Sequence, residues 1–259
     1  MVFKKLLGSL GIGAPAVNTV LHQPYAHPGA TVTGDVRIKA GKQDITVEHV
    51  ALSFAVHVEN GYGDPVAVEF HRAEIAERFE LSGGEEKIVP FECPMPWEAP
   101  ISNVQGMHLD GIAVGVHTEL RISEAGKEEI STKSDLDPFA IEPLPAQAAV
   151  LDAFGRLGIQ FRGTGLAPDR LDGVRQELPF FQEIEFFSPP PLAEYLNDVW
   201  LTFVADAEGV DVVLTVDKLS RIAASDQTRF RESHDEAPSA DWTGRIQGWL
   251  QETAEQRAR

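Results

Sequence analysis

One cysteine in 259 residues, Cys93, is the sharpest shortage in this chain. A single thiol rules out an intrachain disulfide and the zinc centres that need several cysteines, and it suits a reducing cytoplasm. Positive charge is scarce too: 22 Lys and Arg stand against 40 Asp and Glu, a formal net charge of −18 with a pI of about 4.8. Such a field repels polyanions and anionic lipid, so nucleic acid is not the expected partner. Long apolar runs are missing as well. The opening stretch "KKLLGSLGIGAPAVNTVL" imitates a secretion signal, but Gly8, Ser9, Gly11 and Gly13 break its apolar run, which is too short to span a bilayer. No stable membrane insertion is expected, and the amino terminus is expected to stay on the mature protein. The same stretch lacks the lysine of a phosphate loop and fails G-x-G-x-x-G. Its remaining reading is a short amphipathic turn, Val2 to Leu7, then a glycine-rich joint, then a strand from Val17 to Leu21.

Strand periodicity is abundant. In "ATVTGDVRI", Val32, Val36 and Ile38 oppose Thr31, Thr33, Asp35 and Arg37. In "EHVALSFAVHVEN", Val50, Leu52, Phe54, Val56 and Val58 form an apolar row against Ala51, Ser53, Ala55 and His57. "GIAVGVHTELRI" repeats the pattern with Ile112, Val114, Val116, Leu120 and Ile122. One-sided apolar rows of this kind predict antiparallel sheets packed on one face. Glycine- and proline-rich turns between them predict an all-β fold of sandwich type.

A boundary is predicted near residue 140, where Pro138, Pro143 and Pro145 in "DLDPFAIEPLP" favour an extended connector. Beyond it, Val150, Leu151, Phe154 and Leu157 suit a short helix ended by Gly158. The strands "IQFR" and "LPFFQEIEFF" follow, then a hairpin in "NDVWLTFVADAEGVDVVLTVDK" around Glu208 and Gly209. The stretch "SDQTRFRESHDEAPSA" is polar and reads as a mobile linker. The tail then places Trp242, Ile246, Trp249 and Leu250 at helical spacing, with Ser239 or Asp241 as cap. From Asp217 to Arg259 there are 7 basic and 8 acidic residues, so the tail lacks the basic excess of a membrane-surface helix. Its aromatic stripe either packs back on a domain or, as the candidate partner-binding surface, engages a second protein.

The order of "LLGSLGIGAPAVNTVL", the Pro-Gly step in "HPGATVTGDVRI", "ERFELSGGEEKIVPFECPMPWEAP" and "LPFFQEIEFFSP" resembles the bacterial sporulation-control proteins of the stage-zero M type, an arrestin-like family. The resemblance covers roughly residues 1 to 220, and its best markers are "GIGAPAVNTVL" and "PFFQEIEF". It implies two tandem antiparallel β-sandwich domains, a cytoplasmic regulatory role, protein partners, no cofactor and no catalysis. The domains expected are 1–140 and 141–220, followed by a polar linker and helix over 221–259.

The chemistry-bearing residues agree with that expectation. Eight histidines form no H-x-H and no H-E-x-x-H. His57 with Glu59, Glu69 with His71, and His117 with Glu119 are i, i+2 pairs on strand faces, each at most half a metal site. Glu183 and Glu185 share one strand face, where acids seldom flank a scissile bond from opposite sides. Ser9, Ser53 and Ser188 sit in no nucleophile elbow, and Cys93 lies between Glu92 and Pro94 with no activating neighbour in sequence. The favoured reading is a non-catalytic regulator or scaffold. The alternative is a β-sandwich enzyme or metal-dependent binder that uses the strand histidines.

Overall fold

The structure is a computed structural model that describes residues 13–59, 65–124, 130–217 and 226–259; the expected turn at Val2–Leu7 lies outside them. The fold is predominantly antiparallel β, as expected, and divides into two compact units. The first takes the chain up to Ala26, Ala30–Pro96 and Ala113–Ile141; the second takes His27–Gly29, Trp97–Ile112 and everything from Glu142 onward.

The first unit contains two sheets. The smaller joins β1 (Ala16–Leu21), β3 (Thr31–Lys39) and β7 (Glu86–Pro94) in the order β1-β3-β7, where β2 is Tyr25–Ala26 and β4, β5 and β6 are Ile45–Glu59, Pro65–Ala76 and Phe79–Leu81. The larger runs β2-β11-β10-β4-β5, with β10 at Ile112–Glu124, β11 at Ile130–Ile141, and β6 paired to β4. The predicted inward row of β3 is buried at Val32, Val36 and Ile38, facing the same way as Val89, Phe91 and Cys93 of β7. The sheets are stitched at Thr19: its hydroxyl meets that of Thr118 at 2.6 Å, and its N–H donates to Asp135 Oδ2 at 2.7 Å. Deleting residues 1–21 removes β1, uncovers β3 and takes a hydrogen-bond partner from both Asp135 and Thr118. The expected result in thermal denaturation is a loss of about 5 °C or more in Tm; an unchanged Tm contradicts the role given to β1.

Two expectations change here. The apolar row of β4 is not one-sided, because Ala51, Ser53 and Ala55 on the opposite face are buried as well. Strand β4 is interior, and long side chains beside these small ones shield them: Glu74 pairs across from Ala51 and Arg72 from Ser53. The proline-rich connector is also largely structured. Residues 135–141 complete β11, and Pro138 is tolerated because β2 covers only Ala140 and Ile141 on its outer side. Pro145 is not part of an extended connector but starts a helix.

In the second unit, α1 (Pro145–Arg156) places that proline at its first position, where no N–H is needed. The Gln147 side chain accepts the Leu144 N–H at 2.8 Å. The helix ends at Gly158, φ +70°, with Gly158 N–H donating to Gly155 O and Ile159 N–H to Phe154 O, both at 3.0 Å. A small hairpin, β8 (Asn103–Val104) with β9 (Met107–His108), belongs to this unit. Its main sheet orders β12 (Phe161–Ala167), β13 (Phe181–Phe187), β14 (Asp198–Ala205), β15 (Gly209–Val216) and β16 (Gln227–Ser233) consecutively and antiparallel. The β14–β15 turn forms because Asp206 Oδ1 accepts the N–H groups of Glu208 and Gly209.

One face of that sheet packs on α1 and on α2 (Trp242–Arg257), so a layer of this unit is helical. The polar stretch before α2 is not a loose linker: its first half is β16, an edge strand held by ion pairs described below. The tail is therefore part of the second unit rather than an appendage at 221–259. No described helix is long and apolar enough to cross a membrane.

Candidate functional site

Three pieces of the blocks that carry the sequence resemblance, residues 27–29, 97–100 and 178–189, lie in the second unit. Gly29, of the Pro-Gly step, has φ +74°, and a Cβ there would lie 2.5 Å from the Trp97 ring, so only glycine fits beneath the indole. His234 stacks on the same indole, 5.1 Å between centroids, and its Nε2 donates to Asp206 O at 2.7 Å. His27 Nδ1 faces two carbonyl oxygens, Glu142 O at 3.2 Å and Pro143 O at 3.1 Å, so this nitrogen carries the hydrogen. Three segments of the second unit, 27–29, 97–98 and 142–143, are thereby fastened to one another.

Next to Trp97, the Glu98 carboxylate accepts the Glu177 N–H at 2.6 Å and the Leu178 N–H at 2.8 Å. Burial pushes its pKa above the usual range; the two N–H bonds and Arg170 oppose that rise, and Glu177 adds to it. Glu98 thus anchors the irregular segment 168–180 between β12 and β13. Buried Gln176 closes the segment on itself, donating to the carbonyls of Asp169, Leu178 and Phe180 and accepting the Leu171 N–H. Gln182, the glutamine of "PFFQEIEF", accepts the Ile101 N–H at 2.8 Å and donates to Ile101 O at 2.7 Å, the pattern of a missing strand neighbour.

A second polar chain runs along the β15–β16 edge. Asp211, 2% exposed, takes Arg229 Nε at 2.7 Å and Arg231 Nη1 at 2.9 Å. Arg231 Nη2 reaches Asp206 at 2.7 Å, and Arg229 donates to Gly173 O in the 168–180 segment. Burial alone would raise the Asp206 pKa, but Arg231 and the Glu208 and Gly209 N–H groups hold it below the usual range. At the end of α2, Arg257 bridges Asp217 and Asp226.

The candidate residues from sequence fare differently. Trp242, Ile246 and Leu250 are core residues, 2%, 0% and 2% exposed, and Trp249 is half-buried against the same core. The aromatic stripe packs on its own domain and is not a free docking face. The three His/Glu pairs do not converge. His71 stacks on Phe54, Glu69 and Glu119 turn to Arg72, and the Glu59 side chain lies outside the described residues. Burial lowers the pKa of both His57 and His71, which favours neutral rings. The polar knot on this face is instead centred on His49, which local patterning did not single out: Nδ1 lies 2.5 Å from Glu74, and Nε2 accepts from Arg72 at 3.3 Å. Glu183 and Glu185 do not act as a pair of free acids, since Glu185 is bound to Arg162 at 2.6 Å. Among the described residues, no group of three or more His, Cys, Asp or Glu is arranged to hold a metal ion.

Cys93 is fully buried, and burial pushes its thiol up to about 11. At pH 8 a thiol-specific disulfide reagent is expected to leave native Cys93 unmodified and to react at once after unfolding in denaturant. Rapid reaction of native protein would contradict its placement in the β3–β7 core.

Comparison with known proteins gives a consistent picture. The Spo0M (SpoOM protein) family profile matches residues 3–220. The sporulation-control protein spo0M of Bacillus subtilis (strain 168) is 32% identical over 226 residues, 85% of this chain and 81% of that protein. The crystal structure of Spo0M from Bacillus subtilis superposes with a TM-score of 0.75 at 25% identity, covering 95% of this chain and all of the other.

Proposed function

From the premise that this chain belongs to the Spo0M family, we propose that it is a cytoplasmic regulatory protein that acts through protein–protein contacts and performs no chemistry. Family membership across both units is the observation that carries this reading, because the Bacillus subtilis relative is named a sporulation-control protein. The site geometry supports it. The carboxylates of Glu98, Asp206, Asp211 and Asp217 are engaged by N–H groups or arginines of their own chain, which suits architecture rather than proton transfer.

The proposed contacts are made by loops rather than by strand addition. In the first unit the β7 edge carries Pro90 and Pro94, and the β5 edge carries Glu69, Arg72 and Glu74. Prolines and charges on edge strands discourage a partner strand. The arrestin-like character expected from the sequence belongs to the same reading, a sandwich scaffold that presents loops.

Elemental analysis of protein purified without chelator separates this reading from the metal-binder alternative. The expected content is far below one transition metal per chain. One metal per chain, lost when His57, His71 and His117 are replaced by alanine, would replace the regulatory reading with the alternative.

A further inference from the structure

Three sulfur atoms belong to the described residues, and their exposures differ widely. Cys93 is fully buried and Met95 is 2% exposed, both in the first unit; Met107 of the second unit is 70% exposed, the highest value among the exposed large apolar side chains described. A thiol normally takes up oxidant ahead of a thioether, but it does so as the thiolate, and burial pushes the Cys93 thiol up to about 11. In the folded chain the reactive sulfur is therefore the one at Met107.

A preformed hairpin displays it. Strands β8 and β9 pair Asn103 with His108 and Val104 with Met107. Between them Gln105, at φ +51°, and Gly106, at φ +78°, both take the left-handed conformation that a two-residue hairpin turn demands. Gln105 is an uncommon residue for that conformation, and its side chain ties the tip down: Nε2 donates to Asp152 Oδ1 of α1 at 3.1 Å. At the base of the hairpin, Leu109 N–H donates to Ser102 O at 2.9 Å. None of these contacts uses the Met107 side chain, so a change at its sulfur leaves the hairpin in place.

We propose that Met107 is a reversible oxidation site, at which a peroxide converts the thioether to the sulfoxide while Met95 and Cys93 of the folded chain stay reduced. The sulfur lone pair attacks one peroxide oxygen, an S–O bond forms and the O–O bond breaks. With hydrogen peroxide, the other oxygen leaves with both protons as water; sulfur gives up two electrons and the peroxide takes them. An apolar tip becomes a polar, chiral hydrogen-bond acceptor, with no core disturbed. The site follows from exposure and hairpin geometry and stands whether or not the regulatory reading holds.

Peptide-resolved mass spectrometry of the native full chain, treated with hydrogen peroxide at neutral pH, tests it. Met107 is expected to gain one oxygen at least about tenfold faster than Met95, with Cys93 unoxidised over the same period. In denaturant the two methionines are expected to react at similar rates, because the fold and not the local sequence makes the selection. Methionine sulfoxide reductases for both epimers, with a thiol reductant, are expected to return Met107 of the folded, oxidised chain to the thioether. The Tm of the oxidised chain is expected to stay within about 2 °C of the untreated value. Oxidation of native Met95 or Cys93 as fast as Met107 overturns the proposal. So does a Met107 sulfoxide that the reductases fail to remove from the folded chain, or a larger loss of Tm when Met107 is oxidised and Met95 and Cys93 are not, since the conversion would then be damage to the fold.

Discussion

Phe186→Ala is expected to destabilise the protein by about 3 to 5 kcal/mol, while its neighbour Glu185→Gln shifts stability by less than about 1 kcal/mol. Phe186 is 5% exposed, lies 4.4 Å from Phe154 of α1 between ring centroids and takes the edge of Phe161 at 6.1 Å. Truncation leaves a cavity between the sheet and α1 that neither relaxes into easily, since both are held at their ends by caps and pairings. Glu185 points to the other face, and its partner Arg162 is 46% exposed. Burial, helped by the nearby Asp198 and Glu183 charges, lifts the Glu185 pKa above the usual range although Arg162 opposes the rise. A carboxyl whose folded pKa is raised has ionised against the preference of the fold, so its charge opposes folding at neutral pH, and that opposition is relieved as pH falls through the raised value. Glutamine keeps the shape without the charge, hence the small effect. Chemical denaturation of both variants decides the ranking, and the reverse order would show that Glu185 is the structural member of the strand.

Trp242→Ala carries the other large effect, again about 3 to 5 kcal/mol. Its ring is 2% exposed, its indole N–H donates to Ala237 O at 2.7 Å, Phe230 of β16 meets it edge-on at 6.0 Å, and Arg245 lies over it at 5.2 Å. The substitution opens a cavity where α2 meets the sheet and leaves the buried Ala237 carbonyl with only the longer Ala240 N–H bond, 3.3 Å. Urea denaturation should show the loss; a wild-type midpoint would mean that α2 contributes nothing to its domain and would return the aromatic stripe to the role of a docking helix.

Much of this architecture was legible in the residues themselves. The alternation in "ATVTGDVRI", the hairpin at Asp206–Gly209 and the deeper face of "PFFQEIEF" all follow from a period of two, which a local window displays. What escaped the local pattern is held by long-range pairing. Strand β16 reads as a solvated polar stretch because Arg229 and Arg231 look like surface charges, yet both converge on buried Asp211, 18 and 20 residues away. The membership of 27–29 and 97–112 in the second unit has no periodic signature either. It rests on single side chains, Trp97, Glu98 and Gln182, whose partners lie far along the chain. The sequence resemblance had already marked the blocks that contain them, but only the geometry shows that the blocks meet.

The central claim is that this protein works by binding another protein. Its most direct test is quantitative cross-linking and capture with the tagged chain in a lysate of its native host, followed by reconstitution of the captured protein with the purified chain. The account predicts one partner, enriched reproducibly, that binds saturably at defined stoichiometry in the purified system with no covalent change to either component. A chain that captures nothing saturable, yet turns over a small molecule or chemically modifies what it touches, would contradict it.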